Sequence, residues 1–277
     1  MSRDYSESVS RQLLIPPSVE MVTLADVRTA LRLQALGDDT DAAEDVLLLG
    51  YQAAARRYSE IVKGRAYVAQ TWQQQQYELC WPIRLLPCPV QQVISIIYLD
   101  LQGEQQTLDP DLYRLDLMRE PARVVPAVNA VWPATLCGPG AVTIEYIAGY
   151  LTPVEFNATT EFVTAKGGRT YTAGDRIVFS NQGGDLPSPL DPSLAYYVIN
   201  PSGSTFQIAT TANGSAIDIA TGGTGTYFIG QIPEEERVLI YLLTHHFYEN
   251  RLVVVPGAAV QLPFTLDALI WNNRVFE

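Results

Sequence analysis

From residue 22 the chain alternates apolar and polar positions with a helical period, first briefly and then at length. Thr23 stands before Leu24, Ala25 and Val27, and Asp26 falls three positions after it. A hydroxyl that accepts from the first-turn N–H groups, with an acid near the positive dipole end, predicts a short helix from Thr23 to about Leu33. Gly37-Asp38-Asp39-Thr40 then separates it from a longer helix, about Asp41 to Val62, closed by Gly64. On this second helix Val46, Gly50, Ala53, Ala54, Tyr58 and Ile61 recur at three- and four-residue steps, which places most of them on one face. Gly50 and the alanines Ala53, Ala54 and Ala55 predict close approach of another helix there. Arg56, Arg57, Lys63 and Arg65 gather toward its C-terminal end, where they favour the helix dipole; a phosphate patch is the alternative.

Between Tyr67 and Tyr150 the period shortens to that of strands. Tyr67–Trp72, Val93–Tyr98 and Ala141–Tyr146 are rich in strand formers, Leu99–Glu104 reads as a hairpin turn, and eight prolines punctuate the region. From about Pro153 to Gln231, Gly, Thr, Ser and Asn dominate. Strands are expected at 176–179, 195–199, 205–208, 216–219 and 226–229; the last four recur about every ten residues, which indicates a small barrel or sandwich. Pro233 followed by Glu234, Glu235 and Glu236 marks a helix start, because proline lacks an N–H that would be unsatisfied there. Leu239, Leu242, Leu243, His246 and Phe247 form one face of that helix. A last helix, about Thr265 to Asn273, aligns Leu266, Leu269 and Ile270.

Composition narrows the function classes. Apolar residues make up 47% of the 277 positions and charged ones 17%, enough for a packed core. Eighteen Lys plus Arg against 30 Asp plus Glu leave a net charge of −12, which argues against a chain built to grip phosphates. The cysteines at 80, 88 and 137 lack a CxxC spacing, so neither a disulfide framework nor a structural zinc site is expected, and a reducing compartment fits best. No apolar run approaches the roughly 20 residues of a membrane span, and the chain reads as cytosolic when made.

Reactive constellations are sparse. His245 and His246 are adjacent on a helix; with Glu249 a metal pair is conceivable, but a structural histidine is the plainer reading. No GxSxG elbow, P-loop or HExxH occurs, and Gly222-Gly223-Thr224-Gly225 reads as a hairpin turn. Asp109, Asp111 and Asp116 read as solvated turn residues, with a hydrolase carboxylate pair as the weaker alternative. Tyr171, Tyr196, Tyr197, Phe206 and Tyr227 could stack on sugars if they face outward, although alternate positions of each strand must fill a core. No catalytic residue, metal or cofactor is expected.

Val22–Val27, the Ala-rich helix ending Gly64-Arg65-Ala66, and Thr71-Trp72 open an ordered series. Ile83–Pro87, Val93-Ile94-Ser95, Trp132-Pro133-Ala134, Gly138–Val142 and Ala148-Gly149-Tyr150 continue it, and Ile232-Pro233, His246–Arg251 and Leu266–Ile270 complete it. In that order and spacing the chain resembles the head-tail connector (adaptor, or head-completion) proteins of long-tailed bacteriophages. The fold class this implies is α+β: a helical connector core with a short-stranded β region, plus an inserted all-β barrel or sandwich domain. Residues 1–21 are expected as a flexible arm, 22–152 and 232–277 as the connector domain, and 153–231 as the inserted β domain, which is similar to a small module appended to other virion proteins.

The function the resemblance implies is structural. Such proteins form a ring, commonly of twelve copies, beneath the portal and extend the DNA channel toward the tail. Expected partners are further copies of the chain, the portal protein and the next neck or tail-completion protein, with DNA passing without being held; no membrane is involved. Location follows as the virion neck, after assembly in the host cytoplasm. Twelve copies would carry about −144, and acidic walls offer DNA few places to stick. Portal contacts are expected from Leu266, Ile270, Trp271, Val275 and Phe276, with the N-terminal arm as a competing candidate. The alternative function is a virion-associated glycan-binding or decoration protein acting through the inserted β domain; a two-carboxylate glycosidase stands third.

Overall fold

Antiparallel strands outweigh helices in this chain. The computed structural model describes residues 9–33, 39–182, 184–220, 223–250, 264–272 and 274–275. Strand accounts for 35% of the protein and helix for 22%. The expected α+β fold with a helical connector core is therefore corrected to a β-rich fold, with four helices among the described residues.

The strands fall into three groups. A five-stranded sheet has the order β1 (Val9–Ile15), β2 (Gln70–Gln76), β8 (Val142–Ala148), β4 (Val90–Leu99) and β5 (Gln105–Thr107). A three-stranded sheet is formed by β3 (Ile83–Leu85), β7 (Ala122–Pro126) and β6 (Tyr113–Asp116). The remaining six strands close a barrel in the order β10 (Phe162–Ala165), β13 (Thr205–Ala209), β12 (Ala195–Ser202), β11 (Arg176–Gln182), β14 (Thr226–Ile229) and β9 (Thr152–Asn157). The first two groups share a core that includes Trp72, Ile83, Ile96, Val124, Ile144 and Tyr146. Val163, Phe179, Tyr196, Val198, Phe206 and Ile208 fill the barrel.

Two departures from the sequence pattern explain the surplus of strand. Residues 9–15, expected within a flexible arm, are β1, paired along β2 from Val9 opposite Gln76 to Ile15 opposite Thr71. The glutamine run Gln73–Gln76 hides the outer half of β2, yet Gln74 and Gln76 are buried. Their side-chain amides donate to the Arg84 carbonyl at 2.9 Å and the Glu78 carbonyl at 2.9 Å, so burial leaves those donors satisfied. Conversely, 216–219 is not a strand, although Ile219 is buried and Ile217 N–H donates to the Ile208 carbonyl at 2.9 Å.

The helices are α1 (Leu24–Ala30), α2 (Asp39–Lys63), α3 (Glu234–Glu249) and α4 (Phe264–Trp271). Thr23 caps α1 with Asp26 reciprocating, a full capping box. Leu48 and Ala55 of α2 meet Leu239, Ile240 and Leu243 of α3 in a core that Tyr67, Val68, Leu151 and Phe228 tie to the strands. The chain leaves toward the barrel at Thr152 and returns at Ile229, and these two residues are cross-strand partners.

Candidate functional site

The inward face of α2 changes character along its length. Leu48 and Ala55 are apolar, but Gln52, Arg56, Ser59, Glu60 and Lys63 are buried as well. Lys63 Nζ donates to both carboxylate oxygens of Glu236 at 2.8 Å, and neither side chain is exposed. Tyr67 Oη donates to Glu236 Oε2 at 2.7 Å and lies 2.6 Å from Ser59 Oγ. Glu60 accepts from Arg56 at 2.9 Å, from the Tyr67 N–H at 3.1 Å and from Gln70 Nε2 at 2.8 Å. Arg56 in turn holds Glu20 at 2.8 Å. Burial pushes the Tyr67 hydroxyl well above its ordinary range, with Glu236 adding to it, and burial likewise raises Glu60. Each charged group in this network has a partner that fixes it, so the arrangement locks α2, α3 and the start of β2 together.

The basic residues expected to serve the helix dipole are thus partly redirected: Arg56 and Lys63 point inward. Glu236 follows Glu234 and Glu235 in an acidic triplet, yet it is fully buried while Glu234 is exposed. Helical rotation of about 100° per residue separates them.

With Arg56, Glu60 and Lys63 turned inward, α2 presents apolar residues to solvent. Val46 is 70% exposed, Leu47 47% and Ile61 63%, with Gly50, Ala54 and Tyr58 between them at helical spacing. Of the small residues expected to receive another helix, Ala55 does meet α3, whereas Gly50 and Ala54 lie on this stripe, which runs along the surface. A row of large apolar groups beside glycine and alanine is thus left exposed along the 25-residue helix.

The expected portal-contact residues divide. Ile270 is buried in the helical core, and Val275 is buried against Leu86 and Cys88, its N–H donating to the Lys63 carbonyl at 2.8 Å. Trp271 is 61% exposed, with the Arg274 guanidinium 4.8 Å from its ring centre. The Leu266 side chain and Phe276 lie outside the described residues.

The other candidates separate into structural roles. Asp109 caps a turn of 3-10 helix by accepting from the Asp111 N–H at 2.9 Å, and Asp116 faces Arg119 at 3.4 Å. His246 contacts the Asn250 side chain at 3.2 Å, and no cluster of three metal-ligating side chains occurs among the described residues. Tyr171, Tyr196 and Phe206 are buried in the barrel, which removes them from any sugar-stacking surface. No helix among the described residues is long and apolar enough to cross a membrane. A cleft of about 520 Å³ lies between residues 15–19, the start of β2 and the barrel, with Lys166 and Glu155 paired at 2.8 Å on its wall.

No protein-family model matches the sequence, and no curated protein matches it. Solved structures do. A chain of the neck of an empty GTA particle, computed with C6 symmetry, is 18% identical over 97% of this chain and 96% of its own, with a TM-score of 0.52. A chain of the virion of a native gene transfer agent (GTA) particle is 17% identical over 96% of each chain, with a TM-score of 0.51. At these identities the likeness is one of fold, and it extends from one end of the chain to the other.

Proposed function

We propose that this protein is a structural subunit of a phage-type virion neck: a head-tail adaptor that forms a ring beneath the portal and extends the DNA channel. The observation that carries this reading is the fold shared along nearly the whole of both chains with a component of a particle neck. Three features support it. The apolar stripe of α2 gives each copy a surface to bury against a neighbour. A net charge of −12 per copy suits a wall that DNA passes without adhering. The described polar networks hold the helices and sheets rigid rather than preparing a reaction.

Within this reading, residues 22–152 and 232–277 form the connector unit and 153–231 an inserted β module. Ile270 and Val275 anchor the C-terminal segment, while Trp271 offers its exposed ring to the portal, flanked in sequence by Leu266 and Phe276. Mixing the purified protein with its portal and imaging by electron microscopy tests the proposal. A ring of added density under the portal is expected. Portals that remain bare at saturating protein overturn it.

A further inference from the structure

The five-stranded sheet has two distinct ends. At one, Gln70 and Val90 both pair with Ala148, close to where the chain enters the barrel at Thr152 and to Leu86 and Cys88, against which Val275 packs. At the other, Gln76 and Tyr98 both pair with Val142. The length of β8 holds the two ends about 20 Å apart. Three segments meet at the second end: residues 77–81 after β2, the turn 99–104 between β4 and β5, and the loop 131–138 before β8. The loop ties the other two together. Gly138 N–H donates to the Tyr77 carbonyl at 2.9 Å, Leu79 N–H to Thr135 Oγ1 at 3.3 Å, and Leu136 N–H to the Leu99 carbonyl at 3.0 Å. On this joined surface Tyr77, Trp81, Leu101, Val131 and Leu136 are all exposed, Trp81 to 69%, Leu101 to 60% and Val131 to 86%. Large apolar groups carried on loops that backbone hydrogen bonds already hold in place form a contact surface that needs little ordering on binding. Its charge has one sign: the three segments carry Glu78, Asp100 and Glu104 and neither Lys nor Arg. Asp100 accepts from the N–H groups of Gln102 at 3.0 Å and Glu104 at 2.9 Å and from Gln106 Nε2 at 3.0 Å, which fixes its carboxylate at the turn.

We propose that this end of the sheet docks the next protein of the neck, on the side away from the portal, through a partner surface of apolar side chains flanked by Lys or Arg. The inference rests on the adaptor reading above and deepens it by naming the surface that faces the tail. That reading gives Trp271 to the portal, and the C-terminal segment to which Trp271 belongs is anchored by Val275 at the barrel end of the sheet. The exposed loops therefore lie at the end the portal leaves open. Apolar groups with acids around them match an apolar surface with a basic rim, where the centre supplies burial and the rim sets orientation and rate of encounter. A second copy, itself at −12, suits that acidic rim less well, and DNA phosphates are repelled by it.

The test adds full-length protein to heads that carry their portal, then purified tails, and scores ring occupancy and tail attachment by electron microscopy. Trp81→Ser and Leu101→Asp alter exposed side chains, and Glu104→Lys reverses one charge of the rim. All three should melt with the wild type and fill the ring as it does. Tail attachment should fall at least about tenfold in the first two and slow several-fold in Glu104→Lys at low salt. A photo-crosslinker at position 101 should capture a Lys- or Arg-bearing peptide of a tail-side protein. Wild-type attachment in both Trp81→Ser and Leu101→Asp, or an unchanged rate in Glu104→Lys, overturns the inference and leaves the adaptor reading intact. Capture of a portal peptide or of a peptide of the same chain, or loss of the ring itself in variants that melt normally, overturns it in favour of the portal or a neighbouring copy. A wild type that fills no ring overturns both readings.

Discussion

Lys63 and Glu236 are 173 residues apart in the chain, and the lysine Nζ lies 2.8 Å from both carboxylate oxygens with neither side chain exposed. The pair fastens the end of α2 to the start of α3 across the whole barrel insertion. Its neighbours Tyr67 and Ser59 extend the fastening to the first residues after α2.

Removing one member should cost far more than replacing both. Glu236→Gln leaves an uncompensated buried ammonium, and a loss of about 3–5 kcal/mol in denaturant stability is expected. The double change Lys63→Met with Glu236→Leu should recover most of it, because two apolar side chains of similar volume carry no desolvation penalty. Equal losses in single and double variants would count against this account.

Glycines at two positions should respond oppositely to alanine. A Cβ on Gly149, whose φ is +147°, would stand 2.6 Å from the Val68 carbonyl carbon and 2.7 Å from the Ala69 nitrogen. Gly149→Ala should therefore destabilise by more than about 1 kcal/mol. Gly50 lies within α2 with nothing within 4 Å of a built Cβ, so Gly50→Ala should stabilise the monomer by up to about 1 kcal/mol. Thermal melts of both variants decide the matter.

Stability should carry a pH signature from Glu60. Burial raises this carboxyl above its ordinary value of 4.5, against the lowering influence of Arg56, the Tyr67 N–H and Gln70. A folded-state value above the unfolded one means that folding takes up a proton. The contribution is complete below about pH 4.5 and is lost as pH rises through the folded value. Glu60→Gln, permanently neutral, should show a flatter decline across that window in urea titrations. Parallel pH profiles would contradict the assignment.

Charges placed on the α2 stripe should separate folding from assembly. Val46→Asp and Ile61→Asp alter exposed positions, so monomer stability should stay within about 0.5 kcal/mol of wild type. Ring formation on the portal should fail. Intact rings from the double variant would remove α2 from the interface.

The barrel should be excisable. Val154 of β9 and Tyr227 of β14 are directly paired and antiparallel, so replacing residues 155–226 by Asn-Gly turns the two strands into a hairpin. The shortened chain should keep a cooperative melt and still assemble on the portal. A molten product would instead make the barrel part of one folding unit with the rest.

Local signals were legible wherever a few neighbouring residues decide the outcome. Thr23 with Asp26, Pro233 before its acidic triplet, the turn around Asp100 and Gly103 and most of the barrel strands follow from capping, turn chemistry and period-two patterning. The face of α2 was not legible. Its apolar residues Val46 and Ile61 point outward while Arg56, Glu60 and Lys63 point inward, an inversion that becomes favourable only because Glu20, Tyr67, Gln70 and Glu236 arrive from elsewhere to pair them. The second half of β2 was hidden for the same reason, since a run of glutamines carries no strand signal until the amides of Gln74 and Gln76 find backbone carbonyls.

Helix starts, the change of texture to strand and the net charge of −12 could be read from the residues alone. That strand exceeds helix, that residues 9–15 form β1, and which side of α2 meets solvent came from the folded arrangement. The physical reason is range. Caps, turns and net charge depend on residues within one turn or on simple sums, whereas strand pairing and the burial of charge depend on partners up to 173 residues away.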